Sequence, residues 1–226
     1  MKRREVEMLW KPGKIELLAP ARDLRSARAA IDCGADAVYM GGPRFGARQA
    51  AGNSVADIAA VAEYARRFGV RVYVTLNTLL FDDELADAER IARQVVEAGA
   101  DALIVQDMAY LEMELEGVEL HASTQTFNAS PEKAAFLADC GFSRVILERN
   151  LSLEEIRRIR AATDVELECF VHGAICVCYS GRCYMSRTMS PRSGNRGDCM
   201  QACRLPYDLL DLSLIHISEP TRRVVI

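Results

Sequence analysis

The sequence contains no long apolar run, and this absence argues against secreted and membrane-spanning proteins. The N-terminal stretch MKRREVEMLWKPGK is charged and lacks the apolar core of a signal peptide. No later segment approaches the roughly 20 apolar residues that a membrane-spanning helix needs. We therefore expect a cytoplasmic protein with no membrane partner.

A large excess of basic residues is missing as well. The chain has 28 Lys and Arg against 32 Asp and Glu, a formal net charge of -4, whereas electrostatic binding of nucleic acid favours a strongly basic protein. The charge is unevenly distributed, because residues 182–204 contain five arginines and one acid. These arginines are Arg182, Arg187, Arg192, Arg196 and Arg204. The segment is therefore a local basic patch on an acidic chain.

Motifs of several common sites are absent. The chain has no HExxH motif of a zinc peptidase and no GxSxG elbow of a serine hydrolase. It also has no C-x2-C pair, the usual knuckle of a structural zinc site. These absences argue against a peptidase of either type and make structural zinc the weaker choice of metal.

The sequence does contain a repeated βα pattern. Seven short apolar runs predict strands, and the amphipathic stretches between them predict helices that open at Asp or Ser and often end at Gly. The predicted strands are residues 14–19, 37–40, 71–76, 102–105, 119–122, 144–147 and 166–171. This alternation predicts an α/β fold, either a TIM-type (β/α)8 barrel or a doubly wound open sheet.

Two features favour the barrel. The stretch LLAPARDL, at the first strand, is not the Gly-rich phosphate loop of many open sheets. Polar residues accumulate where the strands end, and in a barrel those ends share one mouth. We therefore predict an incomplete barrel over residues 14–175 that is truncated after strand seven, preceded by an N-terminal extension over residues 1–13.

The polar residues at the strand ends form the candidate site. The residues predicted to be catalytic are His172, His121, Asn77 and Asp107. The residues predicted to bind substrate are Arg44, Arg48, Gln125, Arg149 and Arg196. The arginines are included because guanidinium groups match carboxylates and phosphates. The alternatives are structural: histidines that orient a loop, polar groups that satisfy buried backbone, and solvated loop arginines.

Six of the eight cysteines lie between residues 168 and 204, among glycines that make the backbone flexible. In a reducing compartment such a cluster indicates metal binding or redox chemistry rather than disulfides. The predicted metal ligands are Cys176, Cys183, Cys199 and Cys203. Flexible thiolates suit an iron–sulfur cluster, and zinc is the competing metal. Three other cysteines, Cys33, Cys140 and Cys169, lie in helix or strand patterns and are predicted to be buried free thiols.

The cysteine-rich segment also resembles a known family. ECFVHGAIC at residues 168–176 and YSGRCYMS at residues 179–186 are similar to the signature of the collagenase-like peptidase family, peptidase family U32. Other stretches agree: ELLAPA (16–21), GADAVYMGG (34–42), VTLNTL (74–79), ALIVQD (102–107), LHASTQ (120–125) and NRGDCMQACR (195–204). The resemblance covers residues 15–207.

Several bacterial members of this family act without oxygen as hydroxylases of tRNA, of 23S rRNA or of the ubiquinone ring. The resemblance thus implies an RNA hydroxylase with RNA as its partner, a 4Fe-4S cluster as cofactor and prephenate as hydroxyl donor. Residues 176–211 would be the iron–sulfur segment at the barrel mouth. Cys176, Cys183 and Cys199 match ligand positions, Cys203 occupies a further family position, and a fourth ligand can lie downstream. The alternatives are a collagenase-like peptidase, a ubiquinone-ring hydroxylase subunit and a zinc-stabilised binding module.

The last residues do not fit the pattern. LSLIHISEPTR, at residues 212–222, resembles a translated transposase adapter from sequencing libraries. We therefore interpret residues 212–226 as a non-native tail and exclude His216 from the site.

Overall fold

A computed structural model describes residues 15–48 and 51–207, which form seven parallel strands alternating with helices. The strands are β1 (Leu18–Pro20), β2 (Ala37–Gly41), β3 (Arg71–Leu76), β4 (Ala102–Val105), β5 (Glu119–Ala122), β6 (Arg144–Ile146) and β7 (Glu166–Glu168). The α-helices are α1 (Leu24–Asp32), α2 (Val55–Arg66), α3 (Leu85–Glu97), α4 (Pro131–Asp139), α5 (Leu153–Ala162) and α6 (Met185–Met189). The strands pair in chain order, β1 to β7. The predicted barrel with seven strands is confirmed, whereas the predicted N-terminal extension and tail lie outside the described residues.

Serine side chains fix where several helices begin. Ser54 and Ser152 form capping boxes with Asp57 and Glu155, so that side chains satisfy backbone N–H groups at both ends of the first turn. Ser130 accepts from the backbone N–H of Lys133. These caps start the helices at the residues where the sequence pattern predicts them.

Alternate residues of each strand face opposite sides of the sheet. Val38, Val74 and Leu103 belong to a large buried cluster that also contains the inner faces of the helices. Tyr73 and Ile104, one residue away from that set, belong to a second and smaller cluster. The larger core therefore lies between sheet and helices, and the smaller core lies inside the barrel.

The first and last strands of the sheet are linked by side chains rather than by backbone pairing. Arg144 on β6 donates to Glu16 next to β1 at 2.6 Å and to Glu166 on β7 at 2.7 Å. The Tyr73 hydroxyl donates to the other oxygen of Glu16 at 2.9 Å, and Glu168 lies 3.5 Å from the Arg144 guanidinium. We call these five residues the seam cluster. It joins the two ends of the sheet order across the barrel interior.

Within residues 15–48 and 51–207, every helix is too short or too polar to cross a membrane.

Candidate active site at the barrel mouth

The turn that carries the cysteines lies on the ends of β4 and β5. Gly181 has φ +69°, and a Cβ at this position would lie 1.9 Å from the carbonyl oxygen of Gln125 and 3.0 Å from Nε2 of Gln106. The Phe127 ring packs against Tyr179 at 4.7 Å and under the Arg182 guanidinium at 4.4 Å. We call residues 176–183 the cysteine turn. Only glycine allows this turn to approach the barrel so closely.

Four side chains and backbone groups form a continuous polar network beneath the cysteine turn. Asn77 accepts from the backbone N–H of Ala47 at 2.8 Å and donates to the Ser123 hydroxyl at 3.0 Å. Ser123 also accepts from the backbone N–H of Gln125 at 3.2 Å. Gln106 donates to the carbonyl oxygen of Gln125 at 3.1 Å. This mouth network (Asn77, Gln106, Ser123 and Gln125) ties the loops after β2, β3, β4 and β5 together.

The structure brings Asn77 and Gln125 together, as expected for residues at strand ends, but it gives Asp107 a different environment. The Asp107 carboxylate accepts from the backbone N–H groups of Leu80 at 2.9 Å and Ala109 at 3.0 Å. Both of its oxygens therefore hold loops in place. Its predicted catalytic role stays a prediction without a contact that favours it.

The predicted position of His121 at the mouth is wrong. His121 is the third residue of β5, fully buried, with its ring edge-on to Tyr73 at 4.8 Å. Its Nε2 lies 3.3 Å from a carboxylate oxygen of Glu119. Burial lowers the pKa of His121. Burial thus favours the neutral form of the imidazole, and the side chain lies inside the barrel, deeper than the mouth network.

His172 and the predicted substrate-binding arginines occupy different surroundings. His172 and Arg48 are exposed. Arg44 pairs with Asp87 and stacks over Phe45. These positions are compatible with binding a ligand at the rim of the barrel.

Arg196 is engaged within the chain. It makes a two-pronged pair with Glu84, at 2.8 and 2.6 Å, and lies over the Phe81 ring. Its hydrogen bonds lower the pKa of Glu84 to about 2. Arg196 therefore fastens the cysteine-rich segment to the start of α3, and its predicted substrate-binding role competes with this pair.

Arg149 lies beside the cysteine turn. Its guanidinium stacks 4.2 Å from the centre of the Phe170 ring, and Nη1 lies 3.9 Å from Sγ of Cys176. An N–H donor beside a cysteine sulfur orients that side chain, as the neighbours of metal ligands commonly do. Arg149 is thus suited to support Cys176.

The four cysteines predicted to bind metal occupy two neighbourhoods. Gly194 separates Cys183 from Cys199, with the Cys183 carbonyl and the Cys199 sulfur each 3.9–4.0 Å from where a Cβ of Gly194 would lie. Arg204, next to Cys203, donates at 2.7 Å to the carbonyl of Ile175, next to Cys176. Sγ of Cys199 accepts from the backbone N–H of Gln201 at 3.3 Å.

The chemistry of these four thiols suits an iron–sulfur cluster, but their side chains do not converge on one point. All four are exposed or half-buried, and two receive N–H donors of the kind that tune iron–sulfur sites. In the described residues, no three His, Cys, Asp or Glu side chains are grouped to hold one metal ion. Binding of a cluster would require the two neighbourhoods to move together.

The three remaining candidate thiols are free, but the prediction that they are buried is wrong. Cys33 and Cys169 are exposed, and Cys140 is half-buried. Cys33 caps the C-terminus of α1, where the chain turns outward. Helix ends are poor guides to burial because the last turn projects beyond the packed face.

Glu168 is a site residue that the sequence patterns did not single out. It ends β7, its side chain is 17% exposed, and burial raises its pKa to about 7. The nearby Arg144 opposes this shift, whereas Glu16 adds to it. The signal was present in β7, where Glu166 and Glu168 alternate on one face of a strand. Three carboxylates in the seam cluster share one arginine, so a proton on Glu168 relieves their repulsion.

The raised pKa of Glu168 predicts a loss of stability as the pH rises from acidic to neutral. The group's contribution to stability is complete below about pH 4.5, the pKa of a free glutamate, and is lost as pH rises through about 7. We expect the free energy of unfolding to fall by about 3 kcal/mol over this window from Glu168 alone. Urea unfolding at pH 5 and pH 8 measures the change.

Glu168→Gln should remove that part of the pH dependence, because the amide does not titrate. Glu166→Gln is the matched control, since Glu166 binds the same arginine from a more exposed position. An unchanged difference between pH 5 and pH 8 in Glu168→Gln would contradict the assignment.

The sequence matches the profile of peptidase family U32 over residues 22–223. This match enters the segment interpreted as a non-native tail, and that interpretation stays a prediction. A solved structure of a U32 peptidase aligns with a TM-score of 0.59 and 17% identity, over 71% of this chain and 70% of that one. This likeness supports the fold alone.

Three curated relatives have greater sequence similarity. The 23S rRNA 5-hydroxycytidine synthase of Escherichia coli (strain K12) is 56% identical over 198 residues, 88% of this chain and 30% of that protein. The tRNA hydroxylation protein P1 of Bacillus subtilis (strain 168) is 38% identical, over 87% of this chain and 47% of that protein. A collagenase of Porphyromonas gingivalis is 35% identical, over 87% and 50%. The chain thus spans about a third to a half of the length of these relatives, and it belongs to peptidase family U32.

Proposed function

We propose that this chain is the barrel portion of a cytoplasmic RNA hydroxylase that acts on a cytidine of ribosomal RNA. The observation that carries the proposal is the cysteine turn seated on the mouth network, which puts redox-capable thiols above a polar barrel interior. The relative named for 5-hydroxycytidine in 23S rRNA, at 56% identity, supports RNA as the partner and cytidine as the target. Relatives named for tRNA hydroxylation support the same class of reaction.

The proposed cofactor is a 4Fe-4S cluster held by Cys176, Cys183 and Cys199, with Cys203 or a further residue as the fourth ligand. When bound, the cluster would transfer electrons or activate the hydroxyl donor, for which prephenate is proposed. The protein contributes positioning. The Arg149 guanidinium donates to Sγ of Cys176, and the backbone N–H of Gln201 donates to Sγ of Cys199.

The remaining groups would bind the substrates. The exposed arginines of the basic patch can meet RNA phosphates, and Arg44 and Arg48 at the rim can meet the carboxylates of prephenate. Glu168 holds a proton near neutral pH inside the barrel. A pKa near 7 also leaves part of this group ionised at neutral pH, and the carboxylate form can accept the proton that leaves the base when a hydroxyl replaces hydrogen.

The cluster assignment predicts the effect of single cysteine substitutions. After anaerobic reconstitution with iron and sulfide, we expect about four iron atoms per chain and a brown colour. Cys176→Ala or Cys183→Ala should lower the iron content to less than half, because each removes one thiolate ligand. Cys33→Ala, at the C-terminus of α1, is the control and should retain full iron. Equal iron in all three variants would show that the ligands lie elsewhere.

The function can be tested with a chimera. Residues 15–207 replace the matching segment of the Escherichia coli synthase, and the chimera is expressed in a strain that lacks the native enzyme. Mass spectrometry of 23S rRNA should detect restored 5-hydroxycytidine. The same chimera with Cys176→Ala should restore none. A chimera that accumulates as folded protein with a cluster but leaves the cytidine unmodified contradicts the proposal.

The peptidase alternative makes an opposite prediction. A cysteine peptidase needs a histidine beside its thiol, whereas the contacts of His121 are Glu119 and Tyr73. Cleavage of gelatin by the metal-free chain would favour the peptidase. A ubiquinone-ring hydroxylase would leave 23S rRNA unmodified in the chimera assay and change the quinone pool instead.

A further inference from the structure

A buried polar atom in the mouth network has no partner within the described residues. Gln106 is 7% exposed, and its Oε1 makes no hydrogen bond there. The orientation of this amide is fixed, because its Nε2 donates to the carbonyl oxygen of Gln125, which can only accept. Buried polar atoms are nearly always paired in folded proteins. An orphaned acceptor at the mouth of a barrel therefore indicates a ligand that donates.

A second orphaned acceptor lies below it. His121 pairs with Ile104 across β4 and β5, so Gln106 and Ser123 both lie two residues nearer to the mouth on the inward side. Nε2 of His121 faces the Glu119 carboxylate, which places the proton on that nitrogen. Nδ1 is left as a bare acceptor, and it has no partner in the described residues. Because Gln106 Oε1 and His121 Nδ1 are both acceptors, this position does not suit an anion, which has no proton to donate.

Ser123 supplies the complementary donor. Its oxygen accepts from Asn77 and from the backbone N–H of Gln125, so both lone pairs are occupied. A hydroxyl has one further hydrogen-bonding capacity, which is to donate its proton. Ser123 is 1% exposed and is tied to Gln106 through the same residue, Gln125. The network thus presents one acceptor and one donor, without charge, under the cysteine turn.

A neutral base edge with one donor and one acceptor side by side fits this pair. Cytosine has that edge, because its 4-amino group donates and N3 accepts, and enzymes that modify bases read such edges in a flipped nucleotide. Resting on the proposed function, we propose that Gln106 Oε1 accepts from the 4-amino group of the target cytosine and that the Ser123 hydroxyl donates to its N3. Gln106 is then the residue that recognises cytosine.

The cysteine turn covers this position and sets the route of entry. Its contacts with the barrel include the packing of Gly181 on Gln125, the stacking of Tyr179 and Arg182 on Phe127, and the contact of Cys176 with Arg149. Tyr179 is 55% exposed, so this cover can lift without unfolding the core. The base would enter beneath the cysteine turn and so come to lie next to the proposed cluster.

Binding of two nucleosides by the 226-residue chain tests the assignment without any cluster. The first is cytidine, and the second is the riboside of pyrimidin-2-one, which is cytidine without its 4-amino group. The unmodified chain should bind cytidine roughly tenfold more tightly, the value of one buried hydrogen bond. Gln106→Leu should abolish this preference. Gln106→Met repeats the test in case the branched side chain does not pack.

Two further variants separate recognition from general damage. Ser123→Ala should weaken the binding of both nucleosides equally, because both have N3. The roughly tenfold preference for cytidine should remain. Gln94→Leu makes the same chemical change on α3, away from the mouth network, and should leave the preference for cytidine unchanged. Retention of the preference in folded Gln106→Leu or Gln106→Met, or failure of the unmodified chain to bind cytidine, overturns the inference.

Cytosine recognition by Gln106 and the proposed hydroxylase activity can fail separately, and the experiments distinguish the two failures. In one outcome, the chain prefers cytidine in a way that depends on Gln106 while the chimera fails to hydroxylate RNA. That outcome would support the recognition and contradict the activity. A Gln106→Leu chimera that hydroxylates RNA at the rate of the unmodified chimera would support the activity and contradict the recognition.

Discussion

Gly181→Ala should detach the cysteine turn from the barrel. The added Cβ would lie 1.9 Å from the carbonyl oxygen of Gln125, an impossible approach against backbone, and the φ of +69° is strained for alanine. The turn cannot yield locally, because Tyr179 and Arg182 on either side both pack on Phe127. We expect the whole turn to lift, and Cys183 to move with it.

Limited trypsin digestion measures this directly, since Arg182 is a cleavage site in the turn. Cleavage after Arg182 should accelerate at least tenfold in Gly181→Ala, and iron uptake should fall as in Cys183→Ala. Gly173→Ala is the matched control: it also has positive φ, +125°, but a Cβ there meets nothing within 4 Å. If the two variants behave alike, strain of the backbone rather than contact with Gln125 is responsible.

Arg144→Met should unfold more easily by about 3 to 5 kcal/mol, because it leaves buried carboxylates without their cation. Arg144 is 8% exposed and Glu16 is 11% exposed, so water cannot replace the lost guanidinium. Methionine keeps much of the volume of the side chain, so the loss measures charge and hydrogen bonding rather than a cavity. Urea unfolding at pH 7 gives the free energy.

An exposed ion pair provides the comparison. Arg93 and Glu89 pair on the surface of α3 with side chains 44% and 38% exposed. Arg93→Met should change the free energy of unfolding far less than Arg144→Met does, because solvent screens an exposed pair. A loss below about 1 kcal/mol in Arg144→Met would mean that the seam cluster does not hold the barrel together.

Much of the fold could be predicted from the sequence, because the spacing of apolar residues indicates which segments form strands and which form helices. The predicted bounds of β3, β4 and β5 agree with the structure, since buried parallel strands are continuous apolar runs between helix ends. The predicted first and seventh strands are longer than β1 and β7. These two strands stand at the ends of the sheet order and have a neighbour on one side only, and the sequence pattern contains no trace of this.

The candidate site was less predictable, because it depends on which way single side chains point. Asn77 and Gln125 follow their strands and do meet near the mouth, whereas His121 belongs to the strand itself. The alternation of Glu119 and His121 could have signalled an inward pair. Gln106 carried no signal, because an orphaned oxygen is visible only when every neighbour is known. The arrangement of the cysteines depends on loop conformation, which has no period.

The ion pair between Glu16 and Arg144 can form only late in translation, after Arg144 has been synthesised. The two residues are 128 positions apart in the chain. At elongation rates of about 5 to 20 residues per second, roughly 6 to 26 s pass between their synthesis. During that time the first strands leave the ribosome with an acidic group that has no cation and with the interior of the barrel open. Chaperone capture of the nascent chain should therefore be greatest before residue 144 emerges and should decline once that arginine closes the seam.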